Sequence, residues 1–228
     1  MAAARRPSLQ VVFFDAGGVL VEFPPAERRV EAALRGLGER RPADRIAAAV
    51  REARAVRDGR GHVDLLWPPD VEDERILAAA RSLASALDLP PERAAYLRDT
   101  CYHIRTLSLL PDAVPALEAV AAAGLAAGLI SNAPGSLRAA FHRLGLLERL
   151  RPTIVSAEVG SRKPDGAIYA AALRQAGLAE PARALFVDDL AANVAGARAA
   201  GMRALLLDRA AAGGDLRSLA ELPAHLGP

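Results

Sequence analysis

Asp15 closes the apolar run of FFDAGGVL (Phe13 to Leu20) and is followed, after Ala16, by Gly17 and Gly18, two residues without side chains. A carboxylate delivered by a buried strand can attack phosphorus and form an aspartyl-phosphate, or it can simply start a turn. Three further polar groups stand behind apolar runs: Ser131-Asn132, Gly160-Ser161-Arg162-Lys163-Pro164, and Asp188-Asp189 with Asn193 a turn later. Ser131 and its neighbouring backbone N–H groups can hold phosphoryl oxygens, although a Ser-Asn pair also caps helices. Lys163 is the sole lysine among 29 basic residues, all the others being arginine. A chain that uses Arg for every generic positive charge keeps Lys where a compact ammonium must approach a carboxylate and a phosphate together. Asn132 and Asn193 are the only asparagines, and both fall in these groups, though Asn is also a common turn residue. Adjacent carboxylates at a buried strand end repel unless a cation compensates them, so Asp188 and Asp189 with Asp15 point to Mg²⁺.

These residues need a frame that brings them to one place. Leu9 to Phe14 reads as a buried strand of a parallel sheet. From Ala26 to about Arg105 the pattern is helical, in roughly four segments broken at Pro42, Gly59-Arg60-Gly61, Trp67-Pro68-Pro69 and Pro90-Pro91. After Pro111 helix and strand alternate: helix from Asp112, strand Ala126 to Ile130, helix from Gly135, strand Thr153 to Ser156, helix from Asp165, strand Ala184 to Val187, helix from Ala192, strand Ala204 to Leu207. Such alternation predicts an α/β fold, a Rossmann-like parallel sheet with helices on both faces. The expected division is a core of residues 1–22 and 106–228, with a small all-helical insert over 23–105. Ligands of open parallel sheets bind outside the carboxyl ends of the strands, where all four polar groups stand.

Composition narrows the class. At 228 residues and 52% hydrophobic content the chain can bury a sizeable core. A formal charge of +2 makes the pI of 9.1 a small Arg excess rather than a basic tract. Arg5-Arg6 and Glu39-Arg40-Arg41 are short and aromatics make up only 4%, so no nucleic-acid partner is expected. Cys101 is the single cysteine, which excludes an intramolecular disulfide and fits a reducing compartment. MAAARRPSLQ reads without the apolar segment of a secretory signal, and no run is long enough to span a membrane, so a cytoplasmic location is expected.

With these residues in view, the chain resembles the haloacid dehalogenase-like (HAD) hydrolase superfamily, whose members are mostly Mg²⁺-dependent phosphatases. Four motifs match in order: FFDAGGVL, LISNAP (Leu129 to Pro134), SAEVGSRKPDGAIY (Ser156 to Tyr169) and FVDDLAANVAGARAAGM (Phe186 to Met202). The resemblance implies that Asp15 is the nucleophile, Ser131 a phosphoryl ligand, Lys163 the organising cation and Asp189 the principal metal ligand with Asp188 beside it. It implies supporting roles for Asn132 and Asn193, with Asn132 and Gly18 on the substrate side. It assigns the metal a main-chain carbonyl at Gly17, and it makes the helical insert a cap that closes over the site. Cap candidates for a replacement acid or for substrate contact are His62, Asp64, Trp67, Tyr102, His103 and Arg105, with His103 and Arg105 favoured by their place near the return to the core.

One position departs from the family pattern, which carries a second Asp, the general acid and base, where this chain has Gly17. Positioned proton transfer contributes about 10²–10⁴-fold, or about 3–5 kcal/mol of barrier. Three readings follow. The chain is a phosphatase of a small phosphorylated metabolite in which water or another group replaces the acid; it is a binding protein that has lost most activity; or it is a metal-free dehalogenase. Asp188-Asp189 speaks against the last.

Overall fold

The computed structural model describes residues 8–58, 69–102, 106–210 and 213–227. The chain divides into two compact units, one formed by Met1–Glu22 with Leu109–Pro228 and the other by Phe23–Ser108. Among the described residues no helix is long and apolar enough to cross a membrane.

The first unit is built on five strands: β1 (Val11–Phe14), β2 (Ala126–Ser131), β3 (Thr153–Val155), β4 (Ala184–Asp188) and β5 (Arg203–Leu206). All pairings are parallel and the order across the sheet is β3-β2-β1-β4-β5. The strand order reverses between β1 and β4, and it is at such a switch point that a parallel sheet opens its ligand crevice. Phe14 lies level with both Leu129 and Val187, so the next residue, Asp15, emerges beside the end of β4.

Val11, Val12, Phe13 and Phe14 are all buried, which is why this strand reads as a continuous apolar run rather than an alternating one. On one face Val11, Phe13, Ile130, Ile154 and Phe186 pack with Ile168, Tyr169 and Ala172 of a helix over Gly166–Gln175, and with Val194 and Ala197 of a helix over Ala191–Ala199. Close packing here depends on a missing side chain: a Cβ on Gly128 would fall 2.6 Å from the Phe13 ring. Two strands run one residue further than the sequence pattern suggests. Ser131 pairs with Val155 and Asp188 with Leu206, so both polar residues are the last of their strands rather than the first beyond them. The strand expected from Leu9 begins at Val11, and Ser156 opens a short helical turn instead of ending a strand.

The second unit is helical: α1 (Ala26–Gly36), α2 (Ala43–Asp58), α3 (Pro69–Ala86) and α4 (Arg93–Leu97), which runs on into a π-helical turn at Arg98–Tyr102. Helix α1 buries Val30, Ala33 and Leu34, α2 buries Ile46, Ala49, Val50 and Ala53, and α3 buries Ala79, Ala80, Leu83 and Ala84. These are three- and four-residue steps, one apolar stripe per helix, and the stripes form a core of their own with Leu97 and Cys101. Each fully buried Leu in it contributes roughly 1.5–3 kcal/mol of transfer free energy. His62, Asp64, Trp67, His103 and Arg105 lie outside the described residues, as does the side chain of Tyr102.

Candidate active site

The site forms where β1, β2 and β4 end. The Asp15 N–H donates to the Val187 carbonyl at 2.9 Å, continuing the β1–β4 ladder by one bond before the chain turns. The turn is closed on itself: the Ala16 carbonyl accepts from the N–H groups of Leu20 and Val21, and the Gly18 N–H donates to the Val21 carbonyl, each at 2.9 Å. Gly18 takes a φ of +73°, open to glycine at little cost. A Cβ there would also stand 2.2 Å from Asp189 Oδ2, so glycine suits the backbone and leaves the Asp189 carboxylate where it is.

Lys163 bridges two of the acids. Its Nζ lies 2.7 Å from Asp15 Oδ1 and 2.7 Å from Asp188 Oδ2, with a side chain only 1% exposed, and sits 5.2 Å from the centre of the Phe186 ring. Its backbone is held by Asn132, which accepts from the Lys163 N–H through Oδ1 at 2.7 Å and donates through Nδ2 to the Lys163 carbonyl at 2.9 Å. The Asn132 amide, expected on the substrate side, is thus a brace that fixes where the lysine starts. Ser156 ties the same region to the loop after β2: its Oγ accepts from the Ala133 N–H at 3.0 Å and donates to the Ala133 carbonyl at 3.2 Å.

The two adjacent acids divide in character. Asp188 is fully buried and accepts from three donors: Lys163 Nζ, the Leu190 N–H at 2.8 Å, and Asn193 Nδ2, which lies 3.0 Å from both oxygens. Asn193 is held in turn through its carbonyl, which accepts from the Tyr169 hydroxyl at 2.7 Å. Asp189 reaches solvent. Its carboxyl is pushed up to about 6 by partial desolvation and by the neighbouring charges of Asp15 and Asp188. Burial likewise raises Asp15 above the ordinary carboxylate value of 3.8, and the Lys163 ammonium pulls in the opposite direction. The Tyr169 phenol is raised chiefly by burial.

One oxygen from each of Asp15, Asp188 and Asp189 can be chosen so that all lie within 4.8 Å of one another. Against these three carboxylates stands one ammonium, so the fully ionised cluster has a formal excess of two negative charges in a pocket of hard oxygen donors. Such a donor set fits a divalent cation of the Mg²⁺ type, which prefers carboxylate and carbonyl oxygens. Asp15, Lys163, Asp188 and Asp189 therefore meet, with Gly18 against Asp189, Ser131 buried at the end of the adjacent β2 and Gly17 within the turn.

The arrangement also uses residues the motifs did not single out. Gly196 lies inside the helix Ala191–Ala199, where a Cβ would meet the Pro164 carbonyl at 2.6 Å. Glycine costs a helix interior about 1 kcal/mol relative to Ala, so an isolated Gly in an Ala-rich helix signals close approach, here to the backbone next to Lys163.

A model of the haloacid dehalogenase-like hydrolase family matches residues 9–201. The chain belongs to this family. Within the HAD-like hydrolases, the chain is 32% identical over 228 residues to the phosphatase MT3486 of Mycobacterium tuberculosis, covering 96% of this chain and 97% of that one. It is 35% identical over 121 residues to the phosphoserine phosphatase of Thermus thermophilus, covering 52% of this chain and 49% of the relative. Among solved structures, the HAD phosphatase from Thermococcus onnurineus superposes with a TM-score of 0.63 at 24% identity, over 96% of this chain and 98% of the other. The L-2-haloacid dehalogenase from Xanthobacter autotrophicus gives the same score at 20% identity, over 95% and 97%. At such identities these two show a shared HAD fold, and no shared chemistry follows from them.

Proposed function

We propose that this HAD-like hydrolase is a Mg²⁺-dependent phosphatase that acts on a small phosphorylated metabolite through an aspartyl-phosphate on Asp15. The observation that carries the reading is the ion pair at the end of β1, where Lys163 Nζ stands 2.7 Å from the Asp15 carboxylate inside a site of three carboxylates and one ammonium. The phosphatase named among the relatives over nearly the whole chain supports the same chemistry.

Asp15 supplies the oxygen that forms the new bond to phosphorus, while the bond to the leaving oxygen breaks and takes its electron pair with it. Lys163 fixes the carboxylate that attacks and offsets charge on the transferring group, and Ser131 holds a phosphoryl oxygen. Water then adds to phosphorus, the Asp15–phosphorus bond breaks, and inorganic phosphate leaves with the carboxylate restored. Asp15, Asp189 and the Gly17 carbonyl would hold the Mg²⁺, which when bound neutralises phosphoryl oxygens and orients them. Asp188, already accepting from three donors, contributes charge and anchors Lys163. The helical unit Phe23–Ser108 is proposed to select the substrate.

Gly17 has no group to protonate the leaving oxygen. The proton comes from water, from the substrate or from another group, and substrates whose leaving groups are already stable as anions are favoured. The Mg²⁺-loaded protein is expected to hydrolyse p-nitrophenyl phosphate faster than sugar or nucleotide phosphates, and Asp15→Asn is expected to abolish turnover. No turnover above the Asp15→Asn background across that panel would sink the proposal. Halide release from 2-haloacids without metal would replace it with a dehalogenase reading.

A further inference from the structure

Two glycines one residue beyond a nucleophile are a liability, because a Gly-Gly pair has the greatest backbone freedom to lose. The turn must hold the Gly17 carbonyl and Asp15 in register, and its own hydrogen bonds secure only part of it. The Gly18 N–H donates to the Val21 carbonyl, and a planar trans peptide places the Gly17 carbonyl opposite that N–H, so this bond sets the Gly17–Gly18 plane. The next two planes are tied from outside the turn, the second of them in addition to the Leu20 N–H bond to the Ala16 carbonyl. Arg209, just past β5, donates from Nε to the Gly18 carbonyl at 3.0 Å and from Nη2 to the Val19 carbonyl at 3.1 Å.

The guanidinium is itself pinned. Asp112, immediately before the helix Ala113–Ala122, accepts from Nη1 at 2.8 Å and from Nη2 at 2.9 Å as a bidentate pair. Asp112 is fixed in turn by the Ser218 hydroxyl at 2.6 Å and the Leu219 N–H at 2.9 Å. One planar fork thus presents one side to two consecutive backbone carbonyls and the other to a carboxylate, a geometry that a lysine ammonium cannot reproduce.

We propose that Arg209, oriented by Asp112, is a positioning residue that locks the Gly17–Gly18–Val19 backbone and thereby sets the Gly17 carbonyl and the Asp15 carboxylate for reaction. The inference rests on the reading of Asp15 as nucleophile and of the Gly17 carbonyl as a metal ligand.

The test uses the full chain with Arg209→Ala, Arg209→Lys, Asp112→Ala and the Arg209→Ala/Asp112→Ala double variant, with two readouts. Steady-state hydrolysis of p-nitrophenyl phosphate should show kcat down by about 10- to 100-fold with KM changed by less than about threefold, the size expected when a reacting group is displaced by an ångström or less. The double variant should be no slower than the slower single one, because the two residues act as a unit. Millimolar guanidinium should restore part of the Arg209→Ala rate and none of the Asp112→Ala rate. Hydrogen exchange, which needs neither metal nor substrate, should show faster exchange over residues 15–21 and unchanged exchange over residues 126–131. If Arg209→Ala is recovered unfolded, Arg209→Lys decides on the same readouts, with the same kcat loss expected. A folded variant whose kcat equals that of the parent, or whose 15–21 exchange is unchanged, overturns the proposal. A parent without phosphatase activity overturns the functional reading instead, and the exchange readout then decides the inference alone.

Discussion

Replacing Gly18 by Ala should separate the energetics of the turn from the geometry of the site. The new Cβ would stand 2.2 Å from Asp189 Oδ2 and 2.8 Å from Asp189 Cγ. Carbon and oxygen come into ordinary contact at roughly 3.3 Å, so the carboxylate must retreat by about 1 Å. That retreat is cheap in stability, because the atom met is the end of an exposed side chain. Most of the stability cost comes instead from holding Ala at φ +73°, roughly 1–2 kcal/mol. At about 2–4 °C per kcal/mol for a protein of this size, Tm should fall by roughly 2–8 °C. Activity should fall much further, since a misplacement of about 1 Å in a reacting constellation costs about 100-fold. Gly124 supplies the control: it has the same φ of +73°, and nothing lies within 4 Å of the Cβ it lacks. Gly124→Ala should lose comparable stability and keep the parent kcat. The assay is kcat on p-nitrophenyl phosphate across a Mg²⁺ titration, beside a thermal melt of each variant. Equal kcat in Gly18→Ala and Gly124→Ala would refute the reasoning, because the Asp189 position would then not matter.

Lys163→Met should cost about 3–5 kcal/mol in a urea melt at neutral pH, because it leaves the buried carboxylates of Asp15 and Asp188 without their cation, and a loss below about 1 kcal/mol would contradict the ion-pair reading. Burial raises the Asp112 carboxyl, but hydrogen bonds from Arg209, Ser218 and Leu219 outweigh that and hold it at about 2 against an ordinary 3.8. The folded state therefore releases this proton more readily than the unfolded one, so the contribution is complete above pH 3.8 and disappears as pH falls through about 2. Discounted for solvent screening it is on the order of 1 kcal/mol, and the deficit of Asp112→Asn in an acid unfolding series should shrink across that window. Gly17→Asp should raise kcat on alkyl phosphates by about 10²–10⁴-fold, the worth of a positioned acid, and an unchanged rate would show that proton transfer does not limit this site.

The sequence exposed the chemistry of the site better than its support. Asp15, Asp188 and Asp189 could be found because an apolar run precedes them and a parallel sheet collects strand ends on one edge, and Lys163 because it is the sole lysine. Their boundaries were blurred by one residue, since the ladder continues to Ser131 and Asp188 although polarity rises there. Asn132 and Asn193 stood out as the only two asparagines, but residue type did not reveal that one braces the Lys163 backbone and the other the Asp188 carboxylate. Arg209 was invisible for a physical reason: its partners lie 97 and 191 positions away, and no local periodicity marks a guanidinium that bridges such separations. Gly196 left a faint local trace, a helix breaker inside an Ala-rich helix, whose cause is the tertiary approach of Pro164.

The burial of Lys163 has a practical side. As the chain's sole lysine, with its side chain 1% exposed and its ammonium engaged by two carboxylates, it offers almost nothing to an amine-directed reagent while the fold is closed. Acylating dyes, biotin esters and amine cross-linkers will therefore spare the native interior and react at any terminal amine, giving a singly tagged protein without engineering. The same ε-amino group becomes nucleophilic once the sheet edge opens, so slow acylation at this one position is a chemical clock for opening of the catalytic centre.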